Sequence, residues 1–504
     1  MARILLTVTA LLSAVALAAG CGNDGSSGSS GAASLAPAGA VIYGEATLDP
    51  SDEQQDAIDK LIEKFPGEGS AGERIRGLLE QAFSKSDTGL SYSEDIEPWL
   101  GDQAAFFVSS FSPGGDTSAA FMLATEDEGK SEDAIEKAAK ANDGKRASYK
   151  GHDYYAISDG AVGVVDGWVV LGSEQGVKAA IDTAEGGAPL EDDESFTNTL
   201  DDAPEERLGF VYFNTPAFAK QLQKSGAGFG LGPFADLFKD PVLATVNVND
   251  NGVRVEATLP ESLSSMFPII GASGGAAAEL PADSWLALAQ PDLGKTISYF
   301  VDTFGAIAGG RDMLAQQLKG ATGLDLEQDV IGWMGDWRLF VSGTSVDQLS
   351  GALVVDTTDE AASARFIAAI ARLASKSADG QVTRRDGGVT FRSGDVPEPI
   401  HLFQRDGKVV LAYGDRAAEA AFDPGEKLGD TQGYKDAQGA LGGEYDLSLY
   451  VSFEQIVELV DSTGAGDDEG WQKIKPYLEP LGALAVGAEK DGDKVRTAFG
   501  ITVK

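Results

Sequence analysis

The feature that most constrains the fold is an internal repetition, because segments of the first half recur in the same order in the second half. Residues 95–102 (Asp-Ile-Glu-Pro-Trp-Leu-Gly-Asp) correspond to residues 329–336 (Asp-Val-Ile-Gly-Trp-Met-Gly-Asp), at an offset of 234. Residues 166–171 and 406–411 share the pattern Asp-Gly-x-Val-Val-Leu, at an offset of 240. A conserved order at a nearly constant offset indicates duplication, so the chain is predicted to form two tandem homologous repeats.

The same repetition predicts the domain boundaries. Three further pairs of segments match, at residues 35–44 and 280–289, 208–213 and 447–452, and 253–254 and 495–496. We therefore predict a first repeat over residues 35–262, a linker over 263–279 and a second repeat over 280–504. A chain of 504 residues is also longer than a single compact domain usually is.

The pattern within one repeat mixes strands and helices. Apolar residues recur at helical spacing over residues 52–65, and further helices are predicted over 75–83 and 131–141. The pair Asp166-Gly167 supplies the positive φ angles of a tight hairpin turn, and Asn251-Gly252 marks a second hairpin. Hairpins interspersed with helices predict an α+β fold, in which each repeat is a mainly antiparallel sheet with packed helices.

The N-terminus has the composition of an export signal. Residues 1–20 contain one positive charge, at Arg3, an apolar run and small residues before Cys21. The apolar run is shorter than the ~20 residues that span a bilayer. The segment Leu-Ala-Ala-Gly-Cys at 17–21 resembles the lipobox of bacterial lipoproteins, which implies lipid attachment at Cys21. An ordinary signal peptide with a cysteine nearby by chance is the alternative.

Residues 22–34 are rich in glycine and serine and are predicted to form a flexible tether. Its typical reach is roughly 20 Å. We therefore expect an extracytoplasmic protein that is anchored to the cell membrane by lipidated Cys21 and does not span it.

Charge and cysteine content exclude several kinds of function. The chain has 79 acidic and 39 basic residues, a net charge of −40, which repels nucleic acid and anionic headgroups. Cys21 is the only cysteine, so neither an internal disulfide nor a cysteine-ligated metal is expected. The sequence predicts no cofactor and no metal.

Residues 35–50 (Leu-Ala-Pro-Ala-Gly-Ala-Val-Ile-Tyr-Gly-Glu-Ala-Thr-Leu-Asp-Pro) and residues 95–102 resemble the bacterial family called domain of unknown function 3352. The resemblance is strongest over the first repeat. It implies an envelope protein and supplies no catalytic residue.

Three local patterns resemble motifs of catalytic or binding sites only in part. The segment Gly-Ala-Ser-Gly-Gly at 271–275 fits a serine-hydrolase elbow around Ser273, but it lies in the linker, and His401 would have to be the base. The alternating asparagines at 247–251 fit a hairpin better than a calcium loop, which needs a glutamate where Thr258 stands. The glycines at 226–232 do not have the spacing of a dinucleotide site.

The paired segments at 95–102 and 329–336 are the remaining candidates. Asp95 and Asp102 are seven residues apart, so they would share one helix face and act together as acid and base. The structural alternative is that Asp95 caps a short helix, Trp99 is buried and Gly101 lets the chain turn.

The function that these observations favour is non-catalytic. We expect an envelope lipoprotein that binds or presents a ligand, with lipid or another hydrophobic molecule as one possibility and an envelope protein as another. The alternatives are an envelope hydrolase that uses carboxylates and an acidic scaffold for protein partners.

Overall fold

The structure is a computed structural model that divides into two compact units. Unit 1 comprises the residues up to 250 together with 255–258, and unit 2 comprises 251–254 and 259–504. The described residues are 31–67, 69–85, 88–110, 117–158, 160–204, 207–224, 238–260, 274–305, 310–376, 380–394, 396–442, 445–491 and 494–504.

Unit 1 alternates hairpins with helices. Its elements are β1 Ile42–Thr47, α1 Asp52–Glu63, α2 Ala71–Lys85, β2 Leu100–Ser110, β3 Ser118–Thr125, α3 Glu128–Ala141, β4 Lys145–Tyr149, β5 His152–Ile157, β6 Gly160–Val165, β7 Trp168–Gly172, α4 Glu174–Ala184, α5 Glu194–Asp201, β8 Gly209–Phe213, α6 Thr215–Lys224 and β9 Val242–Asn249. Strand β10, Gly252–Pro260, follows β9 and pairs with it.

The strands of unit 1 form one antiparallel sheet in the order β4-β5-β6-β7-β3-β2-β1-β8-β9. Strand β1 is therefore an interior strand, between β2 and β8. Successive side chains of a strand point to opposite faces, and both faces of this sheet are buried. In β7, Trp168 packs with Ile181 of α4 on one face, whereas Val169 packs with Ile135 of α3 on the other.

Unit 2 is built from the same kinds of element. They are β11 Ser284–Gln290, α7 Leu293–Gly305, α8 Arg311–Thr322, β12 Met334–Ser342, β13 Ser350–Thr357, α9 Glu360–Ala374, β14 Gly380–Arg385, β15 Gly388–Ser393, β16 Ile400–Arg405, β17 Lys408–Tyr413, α10 Asp415–Ala420, α11 Gln432–Ala440, β18 Asp446–Ser452, α12 Phe453–Ser462, α13 Glu469–Leu478, β19 Leu481–Asp491 and β20 Lys494–Val503.

The sheet of unit 2 is also antiparallel, in the order β14-β15-β16-β17-β13-β12-β11-β18-β19-β20. Helices again cover both faces. Val410 of β17 packs with Ala417 of α10 and Ala437 of α11. On the other face, Val409 packs with Ile367 of α9.

The predicted fold class is confirmed, since the chain is α+β with a large antiparallel sheet. The hairpin turn at Asp166-Gly167 has the expected positive φ angles of 46° and 81°. The hairpin predicted around residue 251 is formed by β9 and β10. Helices α1, α2 and α3 fall where helices were predicted, and α2 begins four residues earlier than expected, at Ala71. Tandem repetition and the boundaries at 35–262, 263–279 and 280–504 stay predictions.

Candidate functional site

Asp95 lies in a single π-helical turn, Tyr92–Ile96, that joins α2 to β2. The turn is capped by Ser91, whose hydroxyl accepts from the backbone of Glu94. Asp95 reaches back to the cap, and its Oδ2 accepts from the Ser91 N–H at 2.8 Å. Lys137 of α3 donates from Nζ to both carboxylate oxygens, at 2.7 and 2.6 Å. Asp95 is thus a stabilising partner of the cap and not the cap itself.

Burial alone would raise the pKa of Asp95, but the hydrogen bonds from Lys137 and Ser91 outweigh it, so the pKa is held below its usual range. The carboxyl is therefore ionised near pH 7 and has no proton to give as a general acid. Trp99 is buried, as predicted, and its indole N–H donates to the carbonyl of Asp95.

The expectation that Asp95 and Asp102 share one helix face is wrong. Asp102 lies in β2, and its side chain is exposed. The turn ends before the strand begins, so helical spacing does not extend across the seven residues. Gly101 is also in β2 and does not turn the chain; a Cβ there would contact Ala124 at 3.0 Å. That glycine allows β3 to pack closely.

The corresponding segment of unit 2 forms the same kind of turn. Asp329 lies in the π-helical turn Leu326–Ile331, and its Oδ2 accepts from the N–H of Asp325 at 2.9 Å. Arg365 of α9 donates to Oδ1 at 2.7 Å. Trp333 is buried, and its indole N–H donates to the Asp329 carbonyl. The hydrogen bonds from Asp325 and Arg365 lower the pKa of Asp329, which makes this carboxylate structural as well.

Other predicted site residues are not brought together. Several of them lie outside the described residues, namely Cys21, Ser273, Gly226, Gly228, Gly230 and Gly232. His401 lies in β16, and only 1% of its side chain is exposed. Its Nδ1 is 3.0 Å from the hydroxyl of Thr390. His152 is at the start of β5, 3.0 Å from Glu185. Among the described residues, no group of three or more His, Cys, Asp and Glu side chains is arranged to hold a metal ion.

One titratable residue that sequence reasoning missed is Glu45, in the interior strand β1. Its Oε2 accepts from the Tyr43 hydroxyl at 2.8 Å. Burial raises the pKa of Glu45, although the Tyr43 hydrogen bond and the nearby charge of Arg207 oppose the shift. The only feature of the sequence that could have identified this residue is the single charged side chain in the opening strand. Because the half-buried carboxylate is already bound by Tyr43, we assign it a structural role.

An apolar surface distinguishes the first two helices of unit 2 from those of unit 1. In unit 1, α1 and α2 bury Ile58, Leu61, Ile75 and Leu79. In unit 2, helix α8 buries no residue, and Gly294 is the only buried residue among those of α7 whose side chains are described. Phe300 of α7 is 42% exposed and Met313 of α8 is 45% exposed.

The two helices of this apolar surface are held by polar contacts. Arg311, at the start of α8, donates to Asp302 of α7 at 2.6 Å and to Glu327 at 2.7 and 2.8 Å. It also donates to the hydroxyl of Ser298. These bonds position α8 against α7 without burying the large apolar side chains. Phe300 and Met313 therefore stay partly exposed within the part of the chain that the structure describes.

Comparison with known proteins identifies the family. A family model described as "Protein of unknown function (DUF3352)" matches residues 1–500. The chain belongs to the DUF3352 family. The resemblance seen in the opening segment of the first repeat therefore extends over the whole chain.

Two solved structures similar to this DUF3352 chain are crystal forms of TP0453. Crystal form I has 11% sequence identity and a TM-score of 0.25, and the match covers 46% of this chain and 79% of that one. Crystal form IV has 12% identity and the same TM-score, with 47% and 81% coverage. No curated protein matches the chain. Within the described residues, no helix has both the length and the apolar character needed to cross a bilayer.

Proposed function

We propose that this DUF3352 protein is an extracytoplasmic lipoprotein, anchored through Cys21, that binds a hydrophobic ligand without catalysis. The proposed binding surface is the apolar surface of α7 and α8. The observation that carries the proposal is the partial exposure of Phe300 and Met313 on two helices in which no apolar side chain that the structure describes is fully buried. Exposed apolar side chains that form a common surface are typical of sites that bind apolar molecules or partners.

We also propose that the two units are tandem copies that have diverged at this surface. The support is the shared strand order, with β1 and β11 each between the corresponding neighbours, and the two turns built around Asp95 and Asp329. On this reading, α7 and α8 occupy the place of α1 and α2. Helices α1 and α2 use their apolar residues for the core of unit 1, whereas the apolar residues of α7 and α8 would contact a ligand.

Two other functions are less well supported. A carboxylate hydrolase needs two cooperating acids, but Asp95 is paired with Lys137, and Asp102 is exposed on a strand that begins after the turn of Asp95. An acidic scaffold rests on the net charge of −40 alone, which any solvated acidic surface would share. Ligand binding is therefore the function that we test.

The test is native mass spectrometry of residues 22–504 after export by a bacterial host and gentle purification. We expect a reproducible extra mass that can be extracted into organic solvent. Changing both Phe300 and Met313 to serine should reduce the bound fraction, because it removes apolar area that the ligand would cover.

The matched control is Leu78→Ser, which removes a side chain that is 59% exposed on α2 of unit 1. This variant should keep the bound mass. A bare mass for the unchanged protein, or an equal loss in the Leu78→Ser variant, would count against the apolar surface as the ligand site.

A further inference from the structure

A cluster of charged side chains lies on one face of the four strands β14–β17 in unit 2, on the same side as α10. We call it the arginine cluster; it consists of Arg385, Arg392, His401 and Asp415. Paired residues of antiparallel strands share a face, and Thr390 pairs with His401. Because alternate residues of a strand share a face, Arg392 of β15 and Arg385 of β14 lie on that same face. Asp415 is the first residue of α10.

Three donors surround the single carboxylate of Asp415. His401 Nε2 is 3.0 Å from Oδ1, without the alignment of a hydrogen bond. Arg385 is 3.9 Å from Oδ1, and Arg392 is 3.8 Å from Oδ2. Both arginine distances exceed that of a hydrogen bond, so the two guanidinium groups neutralise Asp415 without donating to it.

The imidazole of His401 is held in place and is neutral near pH 7. Burial lowers its pKa; Asp415 opposes this shift, and Arg385 and Arg392 add to it. The Thr390 hydroxyl lies 3.0 Å from Nδ1 and can donate to it. The neutral tautomer with its proton on Nε2 then accepts from Thr390 at Nδ1 and leaves Nε2–H as a buried donor near Asp415 that is not aligned for a hydrogen bond to it.

Unit 1 shows what normally covers such a face. There, α4 has 11 residues, and its Glu174 accepts from the Tyr154 hydroxyl at 2.7 Å. Asp182 of α4 likewise accepts from the hydroxyl of Tyr149. Helix α10 of unit 2 has six residues, and the outer strands β14 and β15 carry Arg385 and Arg392 on the same face.

We propose that the arginine cluster is a binding site for a tetrahedral oxyanion of the phosphate type. A carboxylate has two oxygens in one plane, and that of Asp415 leaves both guanidinium groups beyond hydrogen-bond distance. A phosphate group has more oxygens and a larger radius, and the planar guanidinium fork matches it bidentately. Asp415, which is 59% exposed, is the internal anion that the ligand displaces. Glu398 lies beside the adjoining Gly414 and limits how much negative charge the site accepts.

The first test is a titration of residues 22–504 with inorganic phosphate, followed by NMR of ¹³Cε1-labelled histidine. The chain has only two histidines, so a His152→Gln variant assigns both signals. We expect a saturable shift of the His401 signal with phosphate, no equal shift with chloride at matched ionic strength, and little change at His152.

Four variants test the geometry. Arg385→Gln and Arg392→Gln should each weaken phosphate binding about tenfold or more, since each removes a charge-assisted hydrogen bond. Asp415→Asn should tighten binding roughly threefold, because the competing charge is removed. Arg384→Gln is the matched control: Arg384 is the exposed neighbour of Arg385 on the same strand, on the opposite face. It should leave the affinity unchanged.

A second measurement distinguishes two sources of the phosphate group. Vesicles of phosphatidylcholine, with or without phosphatidic acid, are sedimented with the protein. Binding that requires phosphatidic acid and is lost in Arg392→Gln identifies a lipid headgroup, whereas a phosphate response without vesicle binding identifies a free phosphate. A chloride response as large as that of phosphate, or a response that survives both arginine variants, would overturn the site. The site is distinct from the apolar surface of α7 and α8, so either can fail alone.

Discussion

At the scale of single residues, Asp95 and Asp329 show how a carboxylate becomes structural. Each accepts a hydrogen bond from the backbone N–H of the residue that caps its turn, and each pairs with a cation from the following helix. The buried tryptophan four residues later donates back to the aspartate carbonyl. Each aspartate thus positions the chain, and because its pKa is lowered its carboxylate stays ionised near pH 7.

We predict that Asp95→Asn lowers the free energy of unfolding by about 1–3 kcal/mol. The substitution removes the charged partner of Lys137, and the side chain of residue 95 is largely buried. Urea unfolding followed by tryptophan fluorescence measures this. Asp102→Asn serves as the control and should change the free energy by less than about 0.5 kcal/mol, since its side chain is exposed. A larger effect at Asp102 than at Asp95 would refute the structural assignment.

At the scale of elements, the contact between α4 and β3 depends on a glycine. A Cβ at Gly176 of α4 would overlap the backbone carbonyl of Ala119, and so would a Cβ at Gly172. Helix α4 therefore lies directly on the backbone of the sheet at its first turn. Ser173 caps the helix at the same point, and its hydroxyl accepts from the Gly176 N–H.

We predict that Gly176→Ala destabilises unit 1 by about 1–3 kcal/mol, because the helix must move away from the sheet. Thermal unfolding followed by circular dichroism is a suitable measurement. Gly77 is the matched helical control: it lies in α2 with no atom near the place of its missing Cβ. Gly77→Ala should stabilise the protein by roughly 0.5–1 kcal/mol. A Gly176→Ala protein that is as stable as the unchanged protein, or more stable, would contradict the close contact at α4.

The elements were more predictable than the contacts between them. Apolar periodicity and the Asp-Gly and Asn-Gly turns identified helices α1 to α3 and both hairpins, because these signals are local. The burial of Trp99 was also predicted. The placement of Asp102 was not, because a π-helical turn changes to a strand within the seven residues. The arginine cluster depends on the register of β14–β17, which sequence spacing does not determine.

At the scale of the whole molecule, we predict that attachment to the membrane depends on Cys21. The exported protein should sediment with membranes and incorporate labelled palmitate, whereas Cys21→Ser should remain soluble and unlabelled after export. The physical reason is that the 22–34 tether and the acidic body supply no other anchor that the sequence predicts. Membrane sedimentation of the Cys21→Ser variant at high salt would show that another part of the chain holds the protein there.

The position of β1 between β2 and β8 also governs when unit 1 can complete its sheet. Ile42 pairs with Val108 of β2 and with Phe213 of β8, so the first strand acquires its second partner only after more than 160 further residues have been synthesised. Closing so long a loop is slow relative to local helix formation. Export is our proposal, and for an exported chain we expect the β1–β8 ladder to form only after most of unit 1 has crossed the membrane.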